Sequence, residues 1–155
     1  MRNYTIRYLS QVKGLNEKIN TLMQERDDYR LMSTSTGSFD YSAERVQTSN
    51  PLEARFTITM EKYFELEQKI NIKIDEYVEL KRKIWDEIRE LKDGNHIKIL
   101  THVFIYDKPV EEIMMHKKWR YKRRQTYNIY NQALDDFFDT VLSPRAAENN
   151  GFDKV

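Results

Sequence analysis

Between Phe56 and Leu91 apolar residues recur at alternating gaps of four and three: Phe56, Met60, Tyr63, Ile70, Ile74, Tyr77, Ile84, Ile88 and Leu91, with Glu67 and Lys81 the two polar interruptions. A strand cannot use that period, because its faces alternate every two residues, whereas a helix lays these positions along one stripe. Some 40 residues at about 1.5 Å each make a rod of roughly 60 Å, longer than a small globule needs. Four Gly and three Pro in 155 residues leave few places for helices to break, and the pair Asp93-Gly94 ends this one.

A second stripe precedes it. From about Tyr4 to Leu31 the positions Tyr8, Val12, Leu15, Ile19, Leu22 and Tyr29 follow the same spacing, with Arg26 in the one polar slot. The two stripes can close on each other as an antiparallel hairpin, on a second copy of the chain, or both; ordinary core packing without an oligomer gives the same pattern. The segment 33–51, STSTGSFDYSAERVQTSNP, loses the period and reads as a loop, long for a compact domain, that ends in Asn50 as N-cap and Pro51 at the first helical position.

After Gly94 the pattern shortens. Ile97, Leu100 and Phe104 form one apolar face, Tyr106, Asp107 and Lys108 a turn, and Pro109 opens a helix whose inward residues are Val110, Ile113 and Met114. A third helix runs from Lys122 to about Leu142 with Thr126, Ile129, Tyr130, Ala133, Phe137 and Val141 along one side. The tail 143–155 has no period and is expected to be disordered.

Net charge is only +1, but residues 117–124 concentrate six cations, Lys117, Lys118, Arg120, Lys122, Arg123 and Arg124, and no acid. A basic run alone is most often a solvated face. Here it leads into a helix on which Arg123, Arg124, Tyr127, Asn128 and Asn131 fall away from the apolar stripe. Arg pairs with guanine and Asn with adenine in the major groove, while cations on the approach hold phosphates. Arg123, Arg124, Tyr127, Asn128 and Asn131 are therefore the candidate base contacts on double-stranded DNA, and Lys117, Lys118, Arg120 and Lys122 the candidate phosphate contacts. Trp119 and Tyr121 suit either stacking on RNA bases or anchoring the turn in a small core. Asp135, Asp136 and Asp139 occupy the far end, which should point away from DNA.

Other classes find little support. With no Cys there is no disulfide framework, thiolate nucleophile or Cys-based zinc site. No Gly-rich phosphate loop or nucleophile motif is present, and His96, His102 and His116 lack zincin spacing. His96 and His102 are expected on a helix surface, and the three acids 135, 136 and 139 on a solvated face. No catalysis, cofactor or metal is expected. The start MRNYTIRYLS has no apolar core of signal length and no segment approaches a membrane span, so a bacterial cytoplasmic location is the expectation.

The segments FIYDKPVEEI and RYKRRQTYNIYNQAL resemble the C-terminal helix-turn-helix of small phage and mobile-element regulators, a domain similar to promoter-reading region 4 of bacterial sigma factors. The ArpU and RinA groups of late-gene activators belong to this circle. The resemblance rests on Glu111, Glu112 and Ile113, followed by Arg124, Tyr127, Tyr130, Ala133 and Leu134. It extends to YLSQVKGLNEKI, DYSAERVQTSNP and LEQKINIKIDEYVELKRKIW, and so covers roughly residues 4 to 142. The sequence departs from the pattern in three ways. The stretch 113–123 is about two residues longer. Arg120 stands where Gly or Asn is usual, at a positive φ that costs other residues about 1 to 2 kcal/mol. Lys122 replaces the usual Ser or Thr cap, worth about 1 kcal/mol.

The expected architecture is thus all-α: a long antiparallel helical hairpin or coiled-coil stalk over 1–94, then a three-helix helix-turn-helix over 95–142. The resemblance implies a phage-encoded DNA-binding transcriptional regulator, of late or packaging genes, that contacts host RNA polymerase. The helical stalk would serve either to form a homodimer or to meet that polymerase. Two alternatives stand beside it: a DNA-packaging protein of the small-terminase type, and an adaptor or inhibitor that binds a host protein.

Overall fold

The computed structural model describes residues 1–34 and 51–149. The protein is all-α. In chain order the helices are α1 (Arg2–Leu9), α2 (Gln11–Thr34), α3 (Pro51–Arg89), α4 (Gly94–Leu100), α5 (Arg123–Phe137) and α6 (Ser143–Asn149). A 3₁₀ helix spans Val110–Met115, and two π-helical segments, Thr101–Ile105 and Phe138–Leu142, extend α4 and α5.

The expected N-terminal helix is divided at Ser10, which keeps right-handed helical dihedrals while its N–H bonds back to Ile6. Most of the expected loop 33–51, residues 35–50 with the Asn50 cap, lies outside the described residues. Ser33 and Thr34 still belong to α2, with hydroxyls donating to the carbonyls of Arg30 and Leu31 at 2.7 and 3.1 Å. Pro51 begins α3, where its missing N–H costs nothing.

Two compact units divide the chain. The smaller, Asn16–Glu76, is built from parts of α2 and α3. Ile19, Leu66 and Ile70 are buried in it, and Arg26 approaches Glu67, Nη1 to Oε1, at 3.9 Å. Much of its apolar surface stays uncovered: Phe56, Ile58, Phe64 and Ile72 are all at least half exposed.

The other unit, Met1–Leu15 with Tyr77–Val155, holds one core. Leu9 and Val12 from the N-terminus and Ile84 and Ile88 from α3 pack with Ile99, Leu100, Leu134, Phe137 and Val141. A division of the sequence at residue 94 therefore cuts through this core, because the apolar stripe of α5 is covered by α1 as well as by α4. The segment from Ser143, expected to be disordered, is helical as far as Asn149. Its anchor is Arg145, whose guanidinium reaches Glu87 Oε1 at 2.6 Å. Glu87 is only 3% exposed and also accepts from the Tyr8 hydroxyl at 2.8 Å. A buried carboxylate must be paired, and this one draws its partners from both ends of the chain.

Asp93 caps α4 by accepting from the Asn95 N–H at 2.7 Å, which explains why Asp93-Gly94 separates two helices. Contrary to the surface position expected for it, His102 is buried, its Nε2 3.0 Å from the Pro109 carbonyl oxygen. That contact ties the π-helical segment to the start of the 3₁₀ helix. Among the described residues positive φ outside glycine falls on Asp107, at 50°, and not on Arg120. Asp tolerates this conformation because its short side chain can bond locally.

Candidate nucleic-acid interface

The helix opened by Pro109 is a short 3₁₀ helix with Ile113 buried, and from it residues 116–122 run as a link into α5. Trp119 turns inward, 8% exposed, and its Nε1–H donates to the Thr126 hydroxyl at 3.0 Å. Tyr121 is half-buried, its oxygen accepting from Asn95 Nδ2 at 3.2 Å. These two aromatics anchor the link to the core. Lys117, Lys118, Arg120 and Lys122 are exposed, as are Arg123 and Arg124.

The first turn of α5 breaks the usual rules for starting a helix. Lys122 at the N-cap makes no side-chain bond, and no acid stands in the first turn. The first backbone N–H to find a carbonyl is that of Thr126, bonded to Lys122 O at 2.8 Å. Cations here oppose the positive end of the helix dipole at a cost of about 0.3 to 1 kcal/mol each. An anion placed at this end would meet free N–H groups beside the exposed Lys122, Arg123 and Arg124.

Along α5 the buried side is Thr126, Ala133, Leu134 and Phe137. The opposite side carries Arg124 and Asn128, one turn apart and exposed, with Asn131 half-buried beside them. Gln125 and Gln132 are exposed on the same side. The sequence reading passed over both glutamines, although their spacing from Asn128, three residues before and four after, already put them on its face. Among the described residues none of these amides makes a side-chain hydrogen bond, so their donors and acceptors are free.

Arg123 and Tyr127 have a different setting from the other base-contact candidates. The Tyr127 hydroxyl donates to Glu111 of the 3₁₀ helix. That bond pushes the Tyr127 phenol above its ordinary range and holds the Glu111 carboxyl below its own, with the Arg123 charge adding to the second effect. Tyr127 thus ties α5 to the preceding helix.

The acids at the far end of α5 are divided among partners. Asp135 accepts a two-pronged bond from the Arg2 guanidinium, at 2.6 and 2.8 Å, and Arg2 holds its carboxyl below the usual range. Asp136 lies 2.8 Å from His96 Nδ1 and accepts from the Thr140 hydroxyl at 3.2 Å. Among the described residues no cluster of three or more His, Asp or Glu is placed to hold a metal ion. None of the described helices is long and apolar enough to cross a membrane.

No family model, curated protein or solved structure matches the chain.

Proposed function

We propose that the protein binds double-stranded DNA through the link 116–122 and the exposed side of α5, as a phage-encoded transcriptional regulator. The observation that carries the reading is the pairing of an uncapped, cation-rich helix start with a continuous polar side bearing Arg124, Gln125, Asn128, Asn131 and Gln132. A start of this kind weakens the helix on its own, and sequences break such a local rule where a site requires it. The link cations would hold phosphates and set the register. Arg124 and Asn128 would reach the edges of guanine and adenine.

Regulation, the phage setting, a cytoplasmic location and a contact with host RNA polymerase rest on the resemblance to sigma region 4 regulators. The exposed Phe56, Ile58, Phe64 and Ile72 support pairing with a second copy, since they leave much of the stripe's neighbourhood uncovered.

The deciding measurement is fluorescence anisotropy with promoter fragments, random competitor DNA and a salt series. Fragment-specific binding, abolished by Arg124→Ala with Asn128→Ala, supports a regulator. The log-log salt slope should approach roughly −0.9 per phosphate contact. Equal affinity for every fragment points to packaging, and absence of binding to a protein-binding adaptor. Light scattering after gel filtration reports the dimer.

A further inference from the structure

The unit that carries α5 also bears an open cavity of about 590 Å³. It opens where the end of α3, the π-helical segment Thr101–Ile105 and the 3₁₀ helix converge, and its size falls in the range of small-molecule sites, roughly 300 to 1,000 Å³. Both tryptophans of the chain, Trp85 and Trp119, line it. Three lysines, Lys98, Lys108 and Lys118, line it as well, and no carboxylate does. Among the described residues none of these lysines forms an ion pair.

Thr101 supplies an independent observation. This residue lines the same cavity, and its hydroxyl, buried behind that lining, has no hydrogen-bond partner among the described residues. A hydroxyl in that state costs about 1 to 3 kcal/mol, so buried polar groups are normally satisfied. It belongs to a π-helical segment, a wider turn than the α-helix and one that recurs at functional sites.

We propose that this cavity binds an organic anion with a flat aromatic body, such as an aromatic carboxylate, sulfonate or phosphate ester. The two indoles supply apolar walls against which a ring packs, and the lysines neutralise the charge. A neutral apolar ligand would leave the lysines without a counter-charge, whereas a cation would be repelled. The assignment does not rest on the proposal that α5 reads DNA, although Lys118 belongs to both surfaces, and it is tested without DNA.

The experiment titrates the full chain with 8-anilinonaphthalene-1-sulfonate and with its uncharged counterpart, N-phenyl-1-naphthylamine. Probe emission and quenching of the two tryptophans are followed together. The expected result is saturable binding of the sulfonate, with tryptophan quenching, at an affinity at least ~10-fold above that of the neutral compound. Changing Lys98, Lys108 and Lys118 to Gln should remove that preference, and Ile97→Phe, which narrows the cavity, should weaken both probes. If the triple variant melts without a cooperative transition, the three single changes are read instead, each lowering the preference. Equal affinity for the two probes, binding without quenching, or a preference that survives the lysine changes overturns the assignment.

Discussion

Arg26 and Glu67, each a polar break in an otherwise apolar heptad stripe, stand opposite one another, with Arg26 Nη1 3.9 Å from Glu67 Oε1. Tyr63 donates to the same carboxylate at 3.1 Å. Neither residue is fully buried, so the pair's main effect is on alignment: another register would set each charge against an apolar neighbour. Glu67→Ala or Arg26→Ala should cost about 0.5 to 1 kcal/mol. The double change to Leu should recover that loss and permit alternative pairings. Urea melts arranged as a double-mutant cycle, with gel filtration to detect new oligomers, check both expectations.

Glu87 makes a sharper case because it is buried. Arg145→Ala, which removes its cationic partner, should destabilise by about 1 to 3 kcal/mol, and Tyr8→Phe by about 1. Arg145→Ala should also melt α6, measurable as lost amide protection over residues 143–149. Burial and the neighbouring carboxylate push the Tyr8 phenol up to about 12. Its contribution is therefore complete below the ordinary value of 10.0 and is lost as the pH rises from there towards 12. Thermal melts of wild type and Tyr8→Phe across that window should converge.

His102 predicts the opposite edge of the pH range. Burial lowers its pKa from the ordinary 6.5, so the unfolded chain takes up a proton more readily than the folded one. Stability should be complete above 6.5 and decline as the pH falls below it towards the lower folded-state value. His102→Gln should flatten that decline in chemical melts at a series of pH values. Persistence of the full slope would assign it to other groups.

Lys122→Ser should separate stability from binding. A Ser hydroxyl can cap α5, giving about 0.5 to 1 kcal/mol of added stability. The same change removes one cation from the link, so the salt slope of DNA binding should fall by about one contact. Calorimetry and anisotropy on one preparation test the pair of effects. If the variant is more stable yet binds DNA unchanged, the Lys122 phosphate contact is lost from the proposal.

Tyr127→Phe should leave specific DNA affinity nearly unchanged, because its hydroxyl is engaged by Glu111. Asn128→Ala should cost about 1 to 3 kcal/mol against the preferred fragment alone. The reverse order of effects, read by anisotropy, would return Tyr127 to the base-reading set.

What the sequence determined by itself was whatever depends on neighbours three or four residues apart. The stripes from Tyr8 and Phe56, the stop at Asp93-Gly94, the helix start at Pro51 and the buried side of α5 all follow from local periodicity and capping chemistry. The basic link was equally visible, since its charges are contiguous. Only the tertiary structure decided which polar residues find each other. Tyr8, Glu87 and Arg145 meet because three helices converge on one core; none of their spacings is helical, and Glu87 looks like any other acid on a mixed-charge helix. The same holds for Tyr127 with Glu111, for Arg2 with Asp135, and for the cavity that collects both tryptophans. Such contacts are set by how whole helices pack, and packing depends on the summed burial of residues remote in sequence.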